Sequence, residues 1–183
     1  MTDSYEICPT FETESFILRL VSEDDSEALL SCYSDSKAQK FFNSDRCSGD
    51  FCMDKIEDMR LCVRAWREAY SQRDYVRFAV IDKSLSRAIG TVEMFGYVGT
   101  YKIKTGILRV DVRSDYERER YLGELFAVCS ENFFDLFEVD TIATKAIPLA
   151  VERRNALMKR EFREGSVYEG THYFLRSRPG GPR

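Results

Sequence analysis

The stretch from Gly106 to Phe137 constrains the fold most, because it predicts a strand, a short charged turn and a long helix in direct succession. Leu108, Val110 and Val112 alternate with charged residues, which is the period-two pattern of a strand. Apolar residues then recur at helical spacing: Leu122, Leu125, Phe126, Cys129, Phe133 and Phe137. A helix that starts just after a strand presents free backbone N–H groups, which suit an anion such as a phosphorylated cofactor.

The residues before this stretch predict further strands and helices. Alternating apolar residues predict strands over Ser15 to Val21, Tyr75 to Asp82 and Arg87 to Val98. A helix capped by Ser22 and a long amphipathic helix over Asp54 to Tyr70 are predicted from spacings of three and four. The polar segment between these helices, Ser34 to Asp50, is expected to hold a short helix and a mobile loop.

The residues after it predict a strand, a helix and a closing hairpin. The strand covers Val139 to Ala146, the Arg-rich helix covers Leu149 to Arg160, and the hairpin strands cover Phe162 to Tyr168 and His172 to Ser177. This order favours an α/β (α+β) domain with helices on both faces of a mixed sheet. We expect one domain over residues 1–183, with flexible ends at 1–14 and 178–183.

Composition and charge argue against several classes of protein. A net charge of −4 and a pI near 5.3 do not fit a nucleic-acid binder. No apolar run approaches the length of a membrane span, and the acidic amino terminus lacks a signal-peptide core, so we expect a cytoplasmic chain. The six cysteines show no C-x-x-C spacing and there is one His, so no metal site is expected. Cys62 and Cys129 are expected to be buried, reduced thiols.

Several segments together resemble the GCN5-related N-acetyltransferases (GNAT), closest to the branch of ribosomal-protein N-terminal acetyltransferases. They are FILRLVSEDDSEALL, FAVIDKSLSRAIGTVEMFG, the strand and helix after Gly106, and KREFREGSVYEGTHYF. The resemblance covers about Phe16 to Ser177. It implies a mostly antiparallel sheet of six to seven strands, acetyl-CoA as co-substrate, and an acceptor amine on a small molecule or a peptide or protein amino terminus. It also implies a monomer or homodimer, without nucleic-acid or membrane partners.

The phosphate-binding loop departs from the family pattern. The family's Arg-Gly-x-Gly-Tyr-Ala corresponds here to Glu117-Arg118-Glu119-Arg120-Tyr121-Leu122, so both glycines are replaced by arginine. An arginine held in the left-handed conformation would cost about 1–2 kcal/mol, although Arg118 and Arg120 could also pair with phosphate. Carried over by position, the cofactor residues would be Val110, Val112, Glu117, Arg118, Glu119, Arg120, Tyr121, Leu122 and Arg153.

The last predicted helix departs from the family as well. The family's Asn and Ser fall at Ala150 and Arg153, and the glycine of its closing motif falls at Glu161. The tyrosine that the family often uses as an acid is absent from this helix. Arg153 would meet the cofactor's phosphates, but a solvated helix face explains an arginine there equally well.

A catalytic base would have to be a carboxylate, and Glu93 and Asp111 are the candidates. Each has a second interpretation. Asp111 shares a strand face with Arg109 and Arg113, which also fits a surface charge ladder. Glu93 lies in the middle of a strand and would equally fit solvent exposure, and the lone His172 beside a turn is expected to be structural.

Two functions remain open on the sequence alone. The first is an N-acetyltransferase in which the amine attacks acetyl-CoA directly, favoured by the overall pattern and by Glu124, which matches the family's Glu after the loop. The second is a non-catalytic GNAT-fold binding or regulatory protein with weakened or lost acetyl-CoA binding, favoured by the missing glycines.

Overall fold

The computed structural model describes residues 4–45, 47, 51–98, 104–167 and 170–180, with only the backbone described at 97 and 98. The strands are β1 (Phe11–Glu12), β2 (Phe16–Leu20), β3 (Val76–Asp82), β4 (Arg87–Val98), β5 (Lys104–Val112), β6 (Thr141–Lys145), β7 (Arg163–Val167) and β8 (Gly170–Ser177). The helices are α1 (Ser26–Tyr33), α2 (Ser36–Gln39), α3 (Ile56–Ser71), α4 (Glu119–Leu136) and α5 (Val151–Lys159). Short 3₁₀ turns at Glu23–Asp25 and Ser114–Tyr116 lead into α1 and α4.

The strands form one sheet in the order β1-β2-β3-β4-β5-β6-β8-β7. Every neighbouring pair is antiparallel except β5 and β6, which are parallel. The predicted mixed, mostly antiparallel sheet is confirmed, and the eight strands exceed the expected six to seven because the two-residue β1 joins its edge.

The two faces of the sheet carry separate cores, as the predicted layers require. On one face, α4 packs Leu122, Phe126 and Phe133 against apolar side chains of the central strands. On the other face, residues of α1 and α3, among them Leu29 and Trp66, form the second core. Cys129 is buried and Cys62 half-buried, and both are free thiols.

A gap opens in the sheet at the end of β5. β6 pairs with β5 from Thr105↔Thr141 only as far as Leu108↔Thr144, so the last residues of β5 have a strand on the β4 side alone. The Arg113 amide donates to Ile89 O at 3.0 Å. Because antiparallel strands alternate the direction of their amides, those of Val110 and Val112 face away from β4. We call this space, beside residues 109–112 and next to the first turn of α4, the gap.

Candidate cofactor and acceptor site

An ion pair of the chain's own side chains lies at the gap. Arg153, in the first turn of α5, donates from Nε and Nη2 to the two carboxylate oxygens of Glu117, each at 2.7 Å. Arg153 is 1% exposed and Glu117 is 7% exposed. Burial opposes the charge of Arg153, but Glu117 and then Asp111 outweigh it and raise the pKa of the guanidinium. The solvated helix face considered for Arg153 is therefore wrong.

A second carboxylate of α5 occupies the start of α4. Glu152 accepts the backbone N–H of Glu119 at 2.7 Å, and this amide is one of the free donors of the helix terminus. The Leu122 amide already donates to Arg118 O, within the helix. In the described part of the chain, the amides of Arg120 and Tyr121 have no acceptor. The start of α4 thus keeps the backbone donors of Arg120 and Tyr121 for an anion.

The two arginines that replace the family's glycines do not fill the gap. Arg118 is exposed and has extended angles, φ −125° and ψ 141°, so it carries no left-handed strain. Arg120 is exposed and donates to Glu14 at 3.0 Å. Glu119 pairs with Lys159 on α5, while the Tyr121 ring packs against Phe16 and the Leu122 side chain is in the core.

A small basic cavity lies between α4 and α5. Its volume is about 260 Å³, and it is lined by Arg120, Lys159 and Arg160 together with the carboxylates of Glu119 and Glu124. Lys159 pairs with Glu119 and Arg120 pairs with Glu14, so two of the three cations already have a carboxylate partner. The cavity therefore carries at most a small excess of positive charge, with Arg160 exposed at its edge.

On the α1 and α3 face, Glu93 lies between two arginines of neighbouring strands. Arg77 on β3 and Arg109 on β5 are its direct cross-strand partners. Arg77 Nη2 contacts Glu93 Oε2, and Arg109 Nη1 lies 2.5 Å from Glu93 Oε1. Glu93 is 1% exposed, so the solvent-exposed interpretation is wrong. A proton taken up by Glu93 would weaken one of these two ion pairs.

Asp111 lies beside this group and differs from Glu93 in its bonding. It is 1% exposed, and its Oδ2 accepts from the Tyr33 hydroxyl at 3.2 Å and lies 3.6 Å from Arg77 Nη1. Its Oδ1 is buried and has no partner among the described residues. Burial raises the pKa of Asp111, against the opposing effects of Arg77 and Arg153. The surface charge ladder considered for this strand face is wrong. We call Arg77, Glu93, Arg109 and Asp111 the sheet cluster.

The segment after α2 covers the sheet cluster. The backbone oxygen of Asp45 accepts from Arg109 Nη2 at 2.8 Å. The Asp45 carboxylate accepts from Lys145 at 2.6 Å and from the Tyr173 hydroxyl at 3.0 Å. Partial burial opposes the Asp45 charge, but these two donors outweigh it and lower the pKa of Asp45. Of the segment predicted to be mobile, residues 46 and 48–50 lie outside the described part of the chain.

Comparison with solved structures identifies the fold. A GNAT-family acetyltransferase from Bacillus anthracis superposes with a TM-score of 0.69 at 17% identity, covering 93% of this chain and 99% of that one. The fold is that of the GCN5-related N-acetyltransferases. A ribosomal-protein-S5-alanine acetyltransferase from Vibrio fischeri gives a TM-score of 0.68 at 17% identity over 94% and 98% of the two chains. A spermidine N-acetyltransferase from Vibrio cholerae, solved with CoA and spermine, gives 0.68 at 10% identity over 91% and 98%.

Similarity in sequence to known GNAT proteins is much weaker. No family model matches the chain. An uncharacterized N-acetyltransferase of Bacillus subtilis, YoaA, is 23% identical over 84 residues. This match covers 46% of the chain and 44% of YoaA, so it spans less than half the length of that curated relative.

Two positions matched to GNAT motifs have structural explanations. Glu124 accepts from the Thr13 hydroxyl at 2.7 Å and from the Ser15 amide and hydroxyl at 2.8 and 2.7 Å, which ties α4 to the β1–β2 turn. Glu161 has φ 63°, a left-handed angle at the position matched to the GNAT glycine. Because its bonds to Thr13 and Ser15 explain Glu124, this residue gives no separate support for catalysis. The lone histidine, His172, is exposed with φ 66° near the β7–β8 turn.

Sequence reasoning missed Tyr33 as a site residue, and also Arg77 and Glu152. Arg77 had a usable signal, because an arginine within a strand of otherwise apolar residues needs a buried partner. Glu152 had no such signal, since an acidic residue in the first turn of a helix is ordinary.

Within the described residues, no helix has the length and apolar character to cross a membrane, and no group of three or more His, Cys, Asp or Glu side chains is arranged to hold a metal ion.

Proposed function

We propose that this GNAT-fold chain is an acetyl-CoA-dependent N-acetyltransferase that moves the acetyl group to a primary amine by direct attack. The observation that supports this best is the open edge of β5, where the Val110 and Val112 amides face the gap beside the start of α4. Such an edge offers hydrogen bonds to an extended, amide-containing ligand. The solved spermidine N-acetyltransferase of the same fold was obtained with CoA, which supports the same ligand here.

The backbone of the gap fits this ligand better than its side chains do. The amides of Arg120 and Tyr121, which have no acceptor among the described residues, and the exposed Arg160 suit a diphosphate. Arg153 and Glu117 join the turn after β5 to the first turn of α5, so the pair bridges the segments that follow the two strands beside the gap. Binding therefore requires these two side chains to move.

The chain's own groups supply little acid or base chemistry. Acetyl-CoA supplies the thioester, and its thiol, with a pKa of about 8.5, leaves without a strong acid. An amide of β5 facing the gap is suited to hold the negative charge that develops on the carbonyl oxygen. Asp111 is the better base candidate, because its pKa is raised and its Oδ1 is free, while both oxygens of Glu93 are engaged by arginine.

The burial of both carboxylates favours an acceptor that needs little help to lose its proton. An α-amino group has a pKa of about 7.7–8.0, whereas a lysine-type amine has a pKa of about 10.4. Near pH 7.5 a sizeable fraction of the first is already neutral. We therefore propose a peptide amino terminus as the preferred acceptor over a polyamine or lysine side chain.

The test combines cofactor binding with thiol release. Acetyl-CoA at about 100 times its dissociation constant should stabilise the fold by about 2.7 kcal/mol, seen as a raised melting temperature. Thiol release is then followed with a dipeptide and with spermidine over pH 6.5–9. Faster release with the dipeptide near pH 7.5 supports the proposal. A melting curve unchanged by millimolar acetyl-CoA and CoA would reject it.

A non-catalytic binding or regulatory role is the second candidate. The specific observation in its favour is the buried, bidentate Arg153–Glu117 pair in the gap. This role predicts acetyl-CoA binding that is absent, or binding without thiol release from any amine tried.

A further inference from the structure

We propose that Glu117, Glu152 and Arg153 form an internal latch that keeps the cofactor gap closed, so that CoA binds only after α5 moves away from α4. This inference rests on the proposed function, because it concerns the same gap. It adds a specific energetic barrier to cofactor entry, located in three residues of this chain.

The first part of the latch is the ion pair in the gap. Arg153 and Glu117 satisfy each other through two parallel hydrogen bonds of 2.7 Å, a geometry in which an arginine and a carboxylate bind most strongly. Both groups are buried, so separating them leaves two charges without partners in a poorly solvated place. A ligand that enters the gap has to displace this pair.

The second part competes for the anion donors of α4. The Glu152 carboxylate holds the Glu119 amide, at the helix end where an anionic ligand is otherwise favoured. A carboxylate on this amide repels an incoming phosphate and occupies one of its donors. Glu152 thus blocks the outer end of the site by the same chemistry that would hold the ligand.

Both parts depend on one short element. Glu152 and Arg153 are adjacent in the first turn of α5, and their partners are close together in sequence: Glu119 is the first residue of α4 and Glu117 lies two residues before it. The N-cap of α5, Ala150, makes no side-chain capping bond, and Leu149 before it is exposed. One displacement of the α5 amino terminus therefore releases both contacts together.

The experiment is calorimetric titration of the full chain with CoA. The double variant Arg153→Ser/Glu117→Gln removes the pair without leaving one buried charge alone, and Glu152→Ala frees the Glu119 amide. The matched control is Arg154→Ser/Glu164→Gln, which removes a more exposed ion pair between α5 and β7. Circular dichroism melting confirms that each variant is folded. If the double variant does not fold, the latch is tested with Glu152→Ala by itself, because Glu152 is only half-buried.

Apparent affinity scales with the fraction of molecules that are open. We expect CoA to bind the double variant at least about tenfold more tightly than wild type, and Glu152→Ala about threefold more tightly. The CoA affinity of the control variant should stay within about twofold of wild type. Wild type that binds CoA at micromolar concentration, with no gain in either latch variant, would overturn the latch and leave the proposed function standing. Absence of CoA binding by every folded variant at millimolar concentration would overturn both.

Discussion

The chain buries arginine–carboxylate pairs in two places, and they are built differently. In the gap, every polar atom of the Glu117 carboxylate is matched by Arg153. In the sheet cluster, three buried atoms have no partner among the described residues: Arg77 Nε, Arg109 Nε and Asp111 Oδ1. The gap pair has all its carboxylate oxygens bonded, whereas the sheet cluster, on the α1 and α3 face, keeps buried polar atoms without a partner among the described residues.

The gap pair and the sheet cluster also differ in the backbone structure that fixes their side chains in position. The arginines of the sheet cluster face Glu93 directly across two strand ladders, so the backbone fixes their positions. The gap pair joins a short helix to the turn after β5, and no strand ladder links these elements. We infer that the sheet cluster is a permanent part of the fold and that the gap pair is the part that can open.

The largest expected effect comes from removing the shared carboxylate of the sheet cluster. Glu93→Gln leaves Arg77 and Arg109 buried without a full counter-charge, so we expect a loss of about 3–5 kcal/mol in the free energy of unfolding, measured by urea denaturation. Glu12→Gln, which removes the exposed partner of Lys83, should cost less than about 1 kcal/mol. Equal losses in the two variants would contradict the structural role of the cluster.

A double-mutant cycle measures the gap pair. Arg153→Met and Glu117→Gln should each cost about 3 kcal/mol of stability, because each leaves one buried charge or polar group unpaired. The double variant should cost about 2 kcal/mol less than the sum of the two. A coupling near zero by urea denaturation would show that the two side chains do not depend on each other in solution.

The backbone beside the gap is tested by two glycines of β4. A Cβ added at Gly90 would lie 2.1 Å from Asp111 O and 2.7 Å from Val112 Cα, both backbone atoms that set the open edge of β5. We expect Gly90→Ala to cost about 2 kcal/mol through this overpacking. Gly96→Ala, where nothing lies within 4 Å, is the control and should cost well under about 1 kcal/mol. A loss for Gly90→Ala as small as that for Gly96→Ala would mean that β4 and β5 move apart to make room for the added methyl group.

The sequence predicted the element order well but could not predict the latch. Periodicity locates a helix at α5, but the side chains of this helix reverse the usual pattern of apolar residues inside and charged residues outside. Val151 and Met158 are exposed, while Arg153 is buried. The remaining signal is spacing, since Arg153 lies three and four residues before the buried Ala156 and Leu157. Its partner Glu117 lies in a turn, where no periodicity shows which way a side chain points.

The sheet cluster illustrates a different limit of the sequence. Alternation places Arg109 and Asp111 on one face of β5, which the structure confirms, but a charged face is normally the solvated one. Whether α1 and α3 cover that face depends on tertiary packing, and Trp66 stacking over Arg77 at 4.1 Å is a contact that only the fold creates.

The smallest effect is a pH dependence, to which Asp111 and Asp45 are expected to contribute with opposite signs. The folded pKa of Asp111 is raised, so above about pH 4, the ordinary value for Asp, the unfolded chain ionises more readily than the folded one. Wild type should therefore lose stability relative to Asp111→Asn as the pH rises from about 4.

The folded pKa of Asp45 is lowered, so its contribution to stability has the opposite sign and is lost as the pH falls below about 4. Urea denaturation of wild type, Asp111→Asn and Asp45→Asn at several pH values between 3 and 8 gives the two differences. Differences that change in the same direction would mean that Asp111 is stabilised as an anion by Arg77 and Arg153, and the sheet cluster would then be as saturated as the gap pair.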